Sequence, residues 1–152
     1  MTNTLKNICL FLLSFTATAL FACNSQKNAS SNTGNAEITE TYWRLTELNG
    51  KVVGPTPADK KEVHIKLRKQ DNQLQGFAGC NGFGGRYELK EGGQISFSNI
   101  MGTMMACDDL ANENKLFEAL RETDNYIHHG KSLLLNKGKK APLARFEAVY
   151  FK

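Results

Sequence analysis

The chain has 152 residues, 41% of them hydrophobic and 22% charged, a balance that excludes wholesale disorder and a polytopic membrane protein. Its formal net charge of +4 is too mild and too mixed in sign to argue for nucleic acid. The 13 glycines and 3 prolines exclude collagen-like and Pro-rich architectures.

Residues 1–22 read as a targeting segment. Lys6 supplies a short positive region, and residues 8–20 (ICLFLLSFTATAL) form an uncharged apolar run. Its 13 residues are too few to span a bilayer as a helix, which needs about 20. The run ends in Leu20-Phe21-Ala22-Cys23, which resembles the lipobox of bacterial lipoproteins. The resemblance implies cleavage after Ala22 and acylation of Cys23, so the partner here is membrane lipid. Three acyl chains, each buried CH₂ contributing about 0.8 kcal/mol, make an anchor that is hard to extract. Asn24 after the cysteine resembles outer-membrane sorting, which places the protein at the bacterial envelope on its periplasmic or surface face.

Residues 23–37 then read as a flexible tether. The stretch NSQKNASSNTGN is Ser/Asn-rich, has no large apolar side chain and cannot bury a face. A dozen such residues span about 20 Å.

From residue 38 to residue 152 short apolar alternations recur between turn signals, the pattern of a mostly antiparallel sheet. Trp43 and Leu45 share one face of the first strand, with Tyr42 and Arg44 on the other, and Leu48-Asn49-Gly50 closes it. Pro55 and Pro57 stiffen a loop. Val63, Ile65 and Leu67 alternate with His64, Lys66 and Arg68. Asp71-Asn72 is a turn, and a short strand at 74–78 runs into the Gly-rich segment 79–85. Residues 86–89, Gly92-Gly93 and 94–97 read as a hairpin.

One segment has helical periodicity. Asp108 or Asp109 is its N-cap, Glu113 supports the first turn, and Leu116, Phe117 and Leu120 form the apolar stripe. The helix is expected to stop near Asp124. Tyr126-Ile127, a turn at His129-Gly130 and residues 133–135 give a strand pair. A basic turn at 136–140 leads to a last strand at 143–146. The fold class expected is α+β, mostly β: a small curved antiparallel sheet or partly open barrel of about eight strands with one packed helix.

At Gly79-Cys80-Asn81 and Met105-Ala106-Cys107 the pattern resembles the META-domain family, which includes the heat-shock protein HslJ. The matching residues are Trp43-Arg44-Leu45, Leu48-Asn49-Gly50, Gly76 to Asn81, Gly85-Arg86-Tyr87, Ile100, Thr103 and Met104 to Cys107. Glu113, Phe117, Leu120, Tyr126 and Leu133 to Leu135 fit as well. The resemblance implies a curved sheet or partly open barrel with a helix, no established catalytic activity, and a loose likeness to pilot lipoproteins that escort secretins. It links the chain to heat-shock response, novobiocin resistance and envelope maintenance.

Four cysteines are present. Cys9 leaves with the leader and Cys23 takes lipid, so Cys80 and Cys107 remain. An even pair in an oxidising compartment favours a disulfide. The alternatives are two buried small side chains that never meet, and a redox thiol. Neither cysteine has a neighbouring histidine in sequence to serve as base. Zinc would have to use Cys80, Cys107, His128 and His129, but adjacent strand residues point to opposite faces. His128 and His129 therefore read as solvated turn residues, and His64 as an outward strand position.

No cofactor or metal is expected. Gly79, Asn81 and Trp43 read as structural: glycine for backbone geometry, and Asn81 as a turn-capping amide. Met101, Met104 and Met105 read as packing residues that, with Phe77 and Phe83, would line an apolar groove for an acyl chain or a partner's peptide. Lys137, Lys139 and Lys140 form a solvated turn or a contact with anionic lipid. The function expected is binding or scaffolding by a monomeric domain, with a secretin-type assembly partner or thiol chemistry as rival readings.

Overall fold

The computed structural model describes residues 36–107 and 110–151. The N-cap aspartates and the lipobox cysteine expected from sequence lie outside the described residues. The first strand, β1 (Tyr42–Leu48), turns through Asn49 and Gly50, both at positive φ (49° and 76°), into the two-residue β2 (Lys51–Val52). Two residues of positive φ give the turn whose twist matches the hairpin, which is why Asn-Gly sits there. β3 (His64–Arg68), β4 (Gln73–Phe77), β5 (Gly82–Lys90) and β6 (Gln94–Gly102) follow as a meander. Helix α1 (Leu110–Glu122) leads to β7 (Asn125–His129), β8 (Ser132–Asn136) and β9 (Ala144–Val149).

Every pairing is antiparallel, and β9 returns to pair with β1. The eight strands β1 and β3–β9 thus close into a ring, with β2 as an added edge. Among the described residues the curved sheet and one helix match the expected class, and β2 is an addition to it. The ring is narrowest in pairing at β6–β7, which meet through Gln94 and Asn125 alone. α1 packs beside that seam, with the Arg121 guanidinium donating to the Ile100 carbonyl at 3.4 Å. Among the described residues no helix is long and apolar enough to cross a membrane.

The ring's interior is its core. Trp43, Ile65, Leu67, Leu74, Leu133, Leu135 and Phe146 are buried from the strands, and Leu116, Phe117 and Leu120 from the helix. Trp43 donates its indole N–H to the Ile38 carbonyl at 2.9 Å, so its polar edge is paired inside an apolar site. Ala36 is already buried, and its N–H donates to the Gly130 carbonyl. Ala36, which composition assigned to the tether, is therefore part of the packed domain.

Two bulges set the strand phases. The extra residue in β1 is Thr46, so the inward positions run Trp43, Leu45, Leu48 rather than in strict alternation. In β6 the extra residue falls at Asn99, at φ 52°, between the pairs Arg86–Ser98 and Gly84–Met101. The inward set there runs Ile95, Phe97, Ile100. The hairpin expected to end near Phe97 thus continues to Gly102, and Gly82 to Gly85 belong to β5 rather than to a loop.

Gly76 is required by a close approach. A Cβ there would lie 2.5 Å from both the His64 carbonyl oxygen and the Phe83 ring. Gly76→Ala is expected to destabilise by about 1–3 kcal/mol through overpacking. Gly54→Ala, where a Cβ meets nothing within 4 Å, serves as the comparison. Urea midpoints check this, and equal midpoints for the two variants would refute it.

Candidate functional site

The β4–β5 turn brings the Gly-Cys-Asn motif to the end of the ring beneath the first turn of α1. The Ala78 N–H donates to the Asn81 carbonyl at 2.9 Å, closing a turn over Gly79 (φ 105°) and Cys80. Cys80 is joined to Cys107 by a disulfide across 27 residues, with Cα atoms 6.0 Å apart. Both sulfurs are thus committed, and in this state neither is a nucleophile.

Asn81 is 1% exposed and sits at the centre of a polar network. Its backbone N–H donates to Glu113 Oε2 at 2.9 Å, and its Nδ2 donates to Glu113 Oε1 at 3.1 Å. The Nδ2 also reaches the Met105 carbonyl at 3.3 Å. Its Oδ1 accepts from Thr103 Oγ1 at 2.7 Å and from the Met105 N–H at 2.9 Å. One amide therefore ties the β4–β5 turn to the loop after β6 and to the helix. Among the described residues no buried side-chain polar atom lacks a partner, as buried polar groups require.

Glu113 is the residue whose role the sequence reading missed. It lies in the first turn of α1, but its carboxylate serves Asn81 rather than the helix's own N–H groups. The signal was present: Glu113, Leu116, Phe117 and Leu120 stand at i, i+3, i+4 and i+7, so the acid lies on the apolar stripe. A carboxylate there needs a buried partner.

The expected apolar groove does not gather in one place. Phe83 is buried and meets the Phe117 ring at 5.0 Å, while Phe77 is half-buried under Lys61 at 4.9 Å. Met101, Met104 and Met105 are exposed, Met104 completely so. Phe83 and Met101 border an open concavity of about 940 Å³ along β4–β6, lined by polar and apolar groups alike. The more enclosed apolar cavity, about 490 Å³, lies elsewhere, between β2, the loop that follows it, and α1.

The histidines differ from expectation in part. His128 and His129 are in β7 rather than a turn, and His128 is half-buried with its ring edge-on to Trp43 at 5.6 Å. His64 does point outward, but it stacks on Tyr42 at 4.2 Å, and burial holds its imidazole below the ordinary histidine value. Among the described residues no three His, Cys, Asp or Glu side chains converge as a metal site would require. In the basic turn, Lys137 pairs with Glu122 at 3.1 Å. The Gly138 N–H holds the Asp124 carboxyl below its usual range, with help from Asn125.

The described residues thus form a small antiparallel ring with one packed helix, locked at one end by a disulfide and a buried Asn–Glu pair. The META-domain model matches residues 36–150. The chain belongs to the META-domain family. No curated protein matches the sequence. Among solved structures, a protein from Burkholderia xenovorans determined by NMR is similar, with a TM-score of 0.58 and 22% identity over 74% of this chain and 83% of that one. A second NMR structure gives a TM-score of 0.55 and 23% identity over 70% of this chain and 87% of the other. At that identity the likeness is one of fold.

Proposed function

We propose that the chain is a lipid-anchored protein of the bacterial cell envelope, held by acylated Cys23, whose META domain binds or scaffolds an envelope component under stress without turning over a substrate. The observation that carries this reading is the Cys80–Cys107 disulfide. Structural disulfides persist in oxidising compartments and are rare in the cytosol. The leader ending in Leu20-Phe21-Ala22-Cys23 accounts for how the chain gets there. The polar cluster around Asn81 supports the absence of turnover, because each of its groups is committed to another within the fold.

The test is fractionation of the full chain and its Cys23→Ser variant. The unaltered protein is expected in membranes, with acyl mass on Cys23 by mass spectrometry, and the variant in the soluble fraction with an unchanged melting curve. A variant that stays with membranes would refute the anchor.

A further inference from the structure

The 490 Å³ cavity is walled by Leu45, Leu48, Val53 and Leu116, and Lys51 and Lys115 stand at its mouth. Its volume lies in the lower part of the range of small-ligand sites, about 300–1,000 Å³. The wall comes from three elements that converge: the end of β1, the β2 segment and the second turn of α1. β2 is only two residues long and wholly exposed, so an apolar recess stands open behind it. Val52, beside Lys51, is 82% exposed and borders the same recess.

The two lysines supply the second half of the argument. They come from two different walls of the recess, one from β2 and one from α1, and both are exposed. Among the described residues neither has an acidic partner, whereas Lys66, Lys90 and Lys137 do. An apolar recess with two unneutralised cations at its rim matches one chemistry: an alkyl chain ending in an anion. The recess has room for one chain rather than the two of a phospholipid.

We infer that this cavity binds a free fatty acid, with the alkyl chain between β2 and α1 and the carboxylate between Lys51 and Lys115. This deepens the binding reading above and rests on it, but it does not require the anchor. Each methylene that enters tightens binding about fourfold, because burying it removes apolar surface from water.

The experiment is calorimetric titration of the full chain carrying Cys23→Ser with octanoate, decanoate and dodecanoate below their micelle concentrations. Affinity is expected to rise about fourfold per methylene until the recess is filled. Adding Lys51→Glu/Lys115→Glu is expected to weaken dodecanoate at least tenfold and to leave dodecanol within about twofold. Lys139→Glu/Lys140→Glu makes the same change of charge at two lysines of the β8–β9 turn that do not line the recess, and is expected to leave dodecanoate unaffected. Absence of chain-length dependence, equal loss in the two double variants, or binding of a zwitterionic single-chain phospholipid as tightly as dodecanoate would each overturn the assignment. Failure here with Cys23-dependent membrane attachment intact removes the fatty acid alone. Loss of that attachment in the companion fractionation removes the anchor and leaves the cavity's result standing.

Discussion

Asn81→Ala is expected to destabilise the domain by about 3 kcal/mol, the larger part of it from what the substitution strands rather than from what it removes. The Glu113 carboxylate loses the Nδ2 donor at 3.1 Å and keeps only the Asn81 backbone N–H. The Met105 N–H and the Thr103 hydroxyl lose their shared acceptor. Glu113 is itself buried. A buried acceptor without its donor retains its desolvation cost and gains nothing in return. Glu113→Leu alone is expected to be harmful for the converse reason, since it takes the carboxylate from the Asn81 backbone N–H and leaves its Nδ2 the longer bond to the Met105 carbonyl. The double variant Asn81→Ala/Glu113→Leu replaces both partners by apolar groups. It should be less destabilised than the two single effects summed, by about 1–2 kcal/mol. Urea unfolding of the four proteins checks this, and strict additivity would show that the pair is not the unit it appears in the geometry.

Much of the ring was legible from the chain because its inward and outward positions alternate cleanly. β3, with Ile65 and Leu67 buried and their neighbours partly exposed, shows its period directly. The Asn49-Gly50 turn names its own geometry. The sequence reading faltered where that period breaks. The bulge at Asn99 shifts the inward phase of β6 from Phe97 to Ile100, so alternation breaks at Asn99 while the strand's pairing runs on to Gly102. The glycines at 82–85 looked like a loop because they carry no side chains to alternate. Their strand is set by pairing with β4 and β6, a non-local cause that no short window contains.

The site divides the same way. The cysteines and Asn81 stood out by type and spacing. The groove was misplaced because apolar character was read as burial, and the methionines after β6 are held outward by a loop whose own hydrogen bonds go to Asn81. The cavity that does exist draws its wall from three separated stretches of chain and has no motif.

Removing the disulfide with Cys80→Ala/Cys107→Ala is expected to be the most costly change, at about 3.5 kcal/mol by the chain-entropy relation for a separation of 27 residues. Most of this acts on the unfolded chain, which regains the freedom that the cross-link denied it. Two readouts separate that cause from lost native packing. The melting midpoint should fall by about 10–20 °C for a domain of this size. The urea m-value should rise, because the unlinked unfolded chain exposes more surface. A fall in midpoint with an unchanged m-value would place the effect in the native state instead.

The consequence reaches beyond stability. A domain with about 5–15 kcal/mol in total would lose a large fraction of it wherever the bond cannot form. The loop from Thr103 to Cys107 would then depend more heavily on Asn81, whose Oδ1 accepts from both the Thr103 hydroxyl and the Met105 N–H, beside the backbone bond from the Thr103 N–H to the Gly82 carbonyl. Asn81→Ala should therefore be more damaging in the reduced protein than in the oxidised one, by about 1 kcal/mol, because covalent and polar tethers restrain the same five residues. Equal effects in the two redox states would show that the amide and the disulfide secure different parts of the fold.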